Sequence, residues 1–456
     1  MKPSRILLFR LFFLSAFFFL ISSAISQPFV NVAEAEVQVH GDTAYRNDDF
    51  WTQYRIDSRT ERILNTYHLM DSLPESNNLI DRIWNFTDQL VQESSVHMGP
   101  LDLNLGYMLR LSAFRGWYVG LPLSTNDHLS RHFRLSAFVG FWTKLRDFDY
   151  GVEGKWLIQR LRQMELGMRY AHKSMALGEF GGFDEDRGLL SEKEYRYTFY
   201  ENVMTRGYFT ELFYNTRMAR HFKVFVTLGK YDKYYYLQPF DALPIQHFTN
   251  AEIKLRFAYK ERFLGTTNGI QSLGTDYPIV WLSYQHSFKD VLGGQFAFDR
   301  IKFQVEKDIQ TRYLGLSSML FQAGYTSKGC PMTETFNLLG SYERFGLYSP
   351  GCFATMSESE FFCDRFAALF LSHDFQGSLW SPNTSWFKPQ LTVSTALGWG
   401  FPSMTKGYFE SGFVIKGLLN LPLVNMGAGV FYRYGAYALP GVFDNFAFKY
   451  SITFSM

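Results

Sequence analysis

Ser372, His373 and Asp374 stand side by side and supply the three residue types of a hydrolytic triad. Some barrels of the outer membrane carry such a Ser/His pair on their outer wall and act on lipid. Successive side chains of a strand leave on opposite faces, so Ser372 and Asp374 share one face and His373 takes the other. A nucleophile, its base and the orienting acid must converge. The run is therefore read as a polar network or a register feature of a strand, and no catalytic residue is expected in the chain.

Other chemistry-bearing residues read the same way. His221, His247 and His286 are scattered and form no metal-ligand set. Gly293-Gly294 precedes no helix, so it reads as a turn and not as a phosphate cradle. Asp276-Tyr277-Pro278 has the helix-averse step before proline and reads as a turn closing onto a strand. No cofactor or metal is expected. Cys330, Cys352 and Cys363 are odd in number. A Cys330–Cys352 disulfide closing a long loop is one option in an oxidising compartment. Lys254, Arg256, Arg300, Lys302 and Glu306 recur on alternating positions; the plain reading is a hydrated inner wall, the sharper one a surface selective for anionic solutes.

The elements that hold these residues are strands. Leu101, Leu103, Leu105, Tyr107, Leu109 and Leu111 alternate with Asp102, Asn104, Gly106, Met108, Arg110 and Ser112. Ile253, Leu255, Phe257 and Tyr259 alternate with Glu252, Lys254, Arg256, Ala258 and Lys260. The same period of two recurs over 300–306 and 390–399, and near 114–124, 132–143, 148–158, 163–173, 206–218, 221–237, 278–288, 316–327, 364–376, 408–418 and 424–434. With the C-terminal segment the pattern predicts about 16 strands, in a range of about 14 to 18, of the length and spacing of tilted membrane strands. The long gaps 174–205 and 328–363 are then candidate outward loops.

Aromatic residues make up 18% of the chain, with 47 Phe and 28 Tyr, and charged residues only 19%. That is rich in strand formers without being apolar enough for a helical bundle. The formal net charge of +2, without a basic cluster, argues against nucleic acid as a partner. Residues 1–26 join a basic start (Lys2, Arg5, Arg10) to an apolar run and the small residues Ser22-Ser23-Ala24-Ile25-Ser26, the layout of a cleaved signal peptide. Within 27–98, Ile63, Leu64, Tyr67 and Met70, then Leu79, Ile80, Ile83, Trp84 and Leu90, recur at helical spacing and predict two short helices, as a periplasmic segment or a plug. The barrel is expected over 99–456.

A soluble sandwich also alternates. The last segment decides for an all-β transmembrane antiparallel barrel. Phe446, Phe448, Tyr450, Ile452, Phe454 and Met456 share one face, against Ala447, Lys449, Ser451, Thr453 and Ser455. This looks like the C-terminal targeting strand of outer-membrane barrels, read by the insertion machinery and closing the barrel against the first strand, although such strands usually end in Phe or Trp. In lipid the sheet must leave no unpaired edge.

Asp48-Asp49-Phe50-Trp51, the stretch from Glu61 to Leu73, Gly274-Thr275-Asp276-Tyr277-Pro278-Ile279-Val280-Trp281-Leu282-Ser283-Tyr284, Gly293 to Arg300 and Asp364 to Gly377 resemble the membrane half of a large Bacteroidetes family of unknown function. Its full-length members join a carboxypeptidase-regulatory-like domain to this C-terminal half. The resemblance implies an outer-membrane barrel, distantly similar to surface-antigen-type assembly and secretion barrels, and carries over no catalytic residue. The expected role is non-enzymatic: envelope biogenesis, or transport of a solute or polypeptide, with outer-membrane lipid and the barrel-insertion machinery as partners. The rivals are a structural or adhesin-like barrel without a pore, and a lipid-acting enzyme.

Replacing Tyr450 and Phe454 together with Asp puts two charges on the face assigned to lipid. The double variant is expected to be lost from the membrane fraction; normal membrane levels by immunoblot would remove the targeting role of the last strand.

Overall fold

The computed structural model describes residues 95–454, apart from 105–107, 113–114, 179, 181–182, 184–203, 236–242, 267–268, 312, 343–344, 377–378, 380–385 and 421–423. The chain divides into two units, Met1–Asp88 and Gln89–Met456. The signal peptide and both expected helices lie outside the described residues, as do Ser455 and Met456. The end of the expected helical segment, Ser95–Met98, is a strand, β1, which turns through Gly99-Pro100 into β2 (Leu101–Asn104). No helix among the described residues is long and apolar enough to cross a membrane.

β2 and β3 (Leu109–Ser112) pair with successive parts of β4 (Gly116–Thr125) and are counted together as the first wall strand. From there the chain meanders. β5 (Phe133–Trp142), β6 (Asp147–Gln159), β7 (Met164–Ala176), β8 (Met204–Ala219), β9 (Phe222–Tyr235) and β10 (Gln246–Ala258) each pair antiparallel with the strand before. A separate hairpin follows, β11 (Phe263–Thr266) with β12 (Gly269–Ser272). The wall resumes with β13 (Ile279–Ser287), β14 (Phe298–Thr311) and β15 (Gly315–Thr326). Residues 327–361 then form a long loop with two short strands, β16 (Phe336–Asn337) and β17 (Phe345–Leu347). The wall ends with β18 (Phe362–Asp374), β19 (Gln390–Pro402), β20 (Met404–Asn420), β21 (Val424–Tyr434) and β22 (Phe446–Phe454). Taking β2 with β3 as one, the antiparallel wall has sixteen strands among the described residues, the number the alternation predicts.

The two faces of this wall are inverted relative to a water-soluble protein. Inward positions bury Arg206 (0% exposed), Arg217, Arg256, Lys302, Glu410 (2%) and Lys449, whereas outward positions expose Trp117 (57%), Phe133, Val139 and Leu212 (48%). Water would favour the reverse, since burying charge is costly and exposing large apolar side chains gains nothing. Only an apolar surround makes this arrangement stable. Aromatic residues crowd the outward ends of strands: Phe133 stacks on Trp156 with centroids 6.1 Å apart, and Phe409 stacks on Tyr434 at 6.1 Å. Such girdles suit the membrane interface.

The last wall strand follows the expected faces, with Phe448 and Tyr450 exposed and Ala447, Lys449 and Ser451 buried. Its closure differs from the expectation. Among the described residues β22 does not pair with the first wall strand. Its second edge is paired in parallel by β17, with Phe345 opposite Phe448, Gly346 opposite Lys449 and Leu347 opposite Tyr450. The loop, which has no two-residue period of its own, supplies the covering strand.

Leu212 sits mid-strand on β8, its neighbours Met168 and Leu228 also facing outward. Leu212→Arg is expected to lower stability by about 2–4 kcal/mol, as charges do at the bilayer midplane. Urea unfolding in lipid vesicles measures it, and an unchanged midpoint would place this face outside lipid.

Candidate functional site

The interior is the candidate site, and the long loop enters it. Both long gaps in the alternation, after β7 and after β15, leave wall strands that run in the same direction, so both loops emerge at one end. Neither stays wholly outside. Phe180 and Phe183 from the first, and Phe336, Leu338, Phe353, Met356 and Phe361 from the second, form one buried cluster with wall residues that include Trp281, Phe366 and Tyr408. Phe366 takes Phe180 edge-on with centroids 5.1 Å apart and Phe336 at 5.0 Å. The expected outward loops are therefore, in these parts, an internal plug.

Inner-face glycines make room for it. A Cβ on Gly324 would lie 2.6 Å from the Phe336 ring, and one on Gly398 would lie 2.8 Å from the Phe353 ring. The glycine-rich inner face reads from sequence as the lining of a wet lumen. It is in these places a set of sockets for aromatic rings.

Polar holds fix the loop to the wall. Glu410, on β20, accepts hydrogen bonds from the backbone N–H of Ala354 (2.6 Å) and Thr355 (2.8 Å) and from the Thr355 hydroxyl (2.5 Å). Arg433, on β21, binds Glu360 at 2.7 Å. Lys449, on β22, donates to the carbonyl of Ser341. Across the barrel Glu334, in the 3-10 turn Met332–Glu334, meets Lys233 of β9 and, at 3.8 Å, Arg300 of β14. Buried charges persist when paired and hydrogen-bonded, as these are. None of these holds is visible in the sequence; Glu410 and Arg433 could be found only as inward charges on strands whose alternation is otherwise clean.

The remaining inner wall is charged and laced together. Glu252 takes Lys302 at 3.4 Å, Lys254 at 3.8 Å and the Ser283 hydroxyl at 2.6 Å. Glu153 pairs with Lys155 and Arg169, and Arg169 reaches Glu211 at 3.5 Å. Lys254, Arg256, Arg300 and Lys302 thus do face the interior, on the strands where they alternate in the sequence, and Glu306 accepts from Gln304 there.

At the opposite end Glu261 is enclosed between two guanidiniums: Arg256 binds it twice (2.6 and 2.9 Å) and Arg217 at 3.1 Å, while the Ser272 hydroxyl of β12 donates at 2.6 Å. Burial alone would push its carboxyl up; these bonds outweigh that and hold it below the ordinary value. Asp127, in the β4–β5 turn, is likewise held down, chiefly by its hydrogen bonds from Arg160 at 2.5 and 2.7 Å.

The sequence candidates for chemistry fall apart. His373 pairs with Ser317, 2.8 Å from Nδ1, and not with Ser372; its Nε2 faces the carbonyl of Leu314 at 2.9 Å. Asp374 turns to Lys416 at 3.2 Å. Gly293-Gly294 is a tight turn, with Gly294 N–H bonded to Val291 and φ +87° at Gly293. His247 binds Asp232 and His286 binds Asp299, each at 2.7 Å on separate strands. Among the described residues no three His, Cys, Asp or Glu side chains group around a metal-sized site. Cys330, Cys352 and Cys363 stand here as thiols, and burial pushes the Cys330 thiol up to about 12.

Residues 238–328 match the C-terminal domain of a family of unknown function, DUF5686. The match spans β10 to β15, including Glu252, Glu261, Arg300 and Lys302, and contains the Gly274–Tyr284 and Gly293–Arg300 stretches on which the family resemblance rests. The chain is similar in structure to BamA from Haemophilus ducreyi lacking POTRA domains 1-3, with a TM-score of 0.50 and 9% identity over 76% of this chain and 69% of that one. CdiB from Acinetobacter baumannii aligns with a TM-score of 0.43 and 12% identity, over 75% of this chain and 58% of that one. The likeness to BamA shows the fold, a β-barrel of the outer-membrane kind. No curated protein matches the sequence.

Removing the charge of Glu261 leaves two buried guanidiniums facing each other. Glu261→Gln is expected to cost about 3–5 kcal/mol, as breaking buried ion pairs does. Because the carboxyl is held below its ordinary value, its contribution is full above the unfolded-state pKa and is lost as pH falls through the lower folded value. The variant should therefore lose stability near neutral pH and show a shallower acid limb in urea unfolding; identical acid limbs would remove Glu261 from the account.

Proposed function

We propose that this chain is an outer-membrane β-barrel without catalysis, exported by a cleaved signal peptide, that serves envelope biogenesis or the transport of a solute or polypeptide through a gated interior. The observation that carries this reading is the hold of Glu410 on the backbone of Ala354 and Thr355 inside the barrel. A barrel of sixteen strands is wide enough for an aqueous channel. The material that fills this one is a chain segment held by a few exchangeable hydrogen bonds and ion pairs, which is how a gate is built. Its partners in this reading are outer-membrane lipid and, during assembly, the insertion machinery. Ser317 and His373 have no carboxylate bonded behind them among the described residues, so that pair lacks the third member of a triad for a reaction on lipid.

A second reading, a solid structural or adhesin-like barrel, draws on one observation: Phe336, Phe353 and Met356 of the loop are fully buried, as in a permanent core. Planar-bilayer recording separates the two. The native protein is expected to conduct little, and Glu410→Ala, or Glu410→Ala with Arg433→Ala, to conduct several-fold more while keeping β-sheet circular dichroism and heat-modifiable gel mobility. A folded double variant that stays silent would favour the solid barrel.

A further inference from the structure

We infer that the loop 327–361 is a single latch with two holds, one in the interior and one in the wall, so that opening the interior and freeing the edge of β22 are one event. This rests on the gated-interior reading. The two arms of the loop are bonded to each other. Ser341 N–H donates to the Phe353 carbonyl (2.9 Å), Phe353 N–H to Leu339 (2.9 Å) and Tyr342 N–H to Met356 (2.8 Å), and Gly340 bridges Phe353 in parallel. The tip between these arms carries β17. It leaves the interior to reach the wall, where Phe345 is exposed and stacks on Phe448 with centroids 5.5 Å apart.

Past the tip, Tyr348 N–H donates to the Tyr450 carbonyl at 2.8 Å, and the Tyr348 ring stacks on Phe431 at 5.5 Å. The chain then returns inward to Ala354 and Thr355 on Glu410. Because the arms are cross-bonded, they move as one piece, and the tip they carry moves with them when Glu410 lets go. The interior holds Glu410, Arg433 and Lys449 also sit on β20, β21 and β22, the three wall strands that end at this edge. Glu410 and Arg433 are register partners.

The wall hold is short. β17 covers Phe448 to Tyr450 of a strand that runs Phe446–Phe454. A strand edge in lipid must be covered by some partner. When the latch leaves, the strand that takes the edge is the other end of the same meander, at β3, because β2 already carries β1 on its second edge. Latched, the barrel is plugged and its last strand is covered over Phe448 to Tyr450 by the loop. Unlatched, its wall closes on itself around an open interior, and the part of the edge that β17 covered passes to β3.

A covalent lock on the wall hold tests this. Phe345 and Phe448 are opposite one another across paired strands, within the Cα separation that a disulfide spans. The pair Phe345→Cys and Phe448→Cys is introduced with Glu410→Ala into a chain whose Cys330, Cys352 and Cys363 are replaced by Ala, and conductance is recorded after oxidation and after reduction with dithiothreitol. Cross-linking is read by gel mobility after proteolysis between β17 and β22. The expected result is native-like low conductance when cross-linked and a several-fold rise on reduction. Equal conductance in both states, with the cross-link confirmed, overturns the coupling while leaving the gated interior standing. A folded, reduced variant that does not conduct overturns the gated interior and the latch with it.

Discussion

A backbone in hydrocarbon has no water to satisfy it, and that one constraint organises the molecule. Each wall strand from β4 to β21 is paired on both sides. The two ends of a meander are where the constraint is hardest to meet, because a sheet of any length still has two edges. At one end β1 folds back on β2 through Gly99-Pro100. At the other, three residues of a loop run alongside β22. The same constraint sets the sidedness of every strand: with lipid outside, Leu212 and Trp117 are placed outward, and the charges have nowhere to go but in.

The charges that go in then need partners, and the interior meets that need by pairing them across strands and with the loop. Glu252 collects Lys254 and Lys302 from β10 and β14, and Glu261 collects Arg256 and Arg217 from β10 and β8. In a low-dielectric interior a satisfied network of this kind fixes geometry, and a half-satisfied one would be costly. Glu410 differs in what it binds. Its partners are the backbone and hydroxyl of a loop, neutral groups that water can replace, so the one carboxylate of β20, though buried, makes bonds that can be exchanged.

The wall was legible in the sequence because a period of two is a local signal: each of the sixteen alternating segments, from Leu101–Ser112 to the C-terminal strand, corresponds to a wall strand, and Asp276-Tyr277-Pro278 does turn onto β13. What the alternation could not convey is where non-periodic residues go. Phe336, Phe353 and Phe361 sit in a stretch without period, and their burial depends on glycine sockets at Gly324 and Gly398 contributed by strands distant in the chain. Read alone, those glycines fit a wet lumen equally well. Closure against the first strand was the natural inference from pairing rules; among the described residues β17 of the loop takes part of that edge instead, since a loop can pair with an edge as well as a strand can. Ser372, His373 and Asp374 were separable for the opposite reason: strand geometry alone sends His373 away from the other two, and it meets Ser317 of β15 instead.

The width of the barrel explains why the filling must be a loop. An interior bounded by about eight strands can be packed by the wall's own side chains, while one of about sixteen leaves an aqueous channel unless something else enters. Side chains rooted in the wall cannot leave it, so a barrel packed by them is committed to being solid. A segment rooted at its two ends, in β15 and β18, can fill the same space and withdraw without breaking the wall. Its aromatic rings supply the filling and its polar holds supply the release: the rings pack wherever sockets exist, but Glu410, Arg433 and Lys449 hold this segment in this position. That division of labour is what the proposed gated interior rests on.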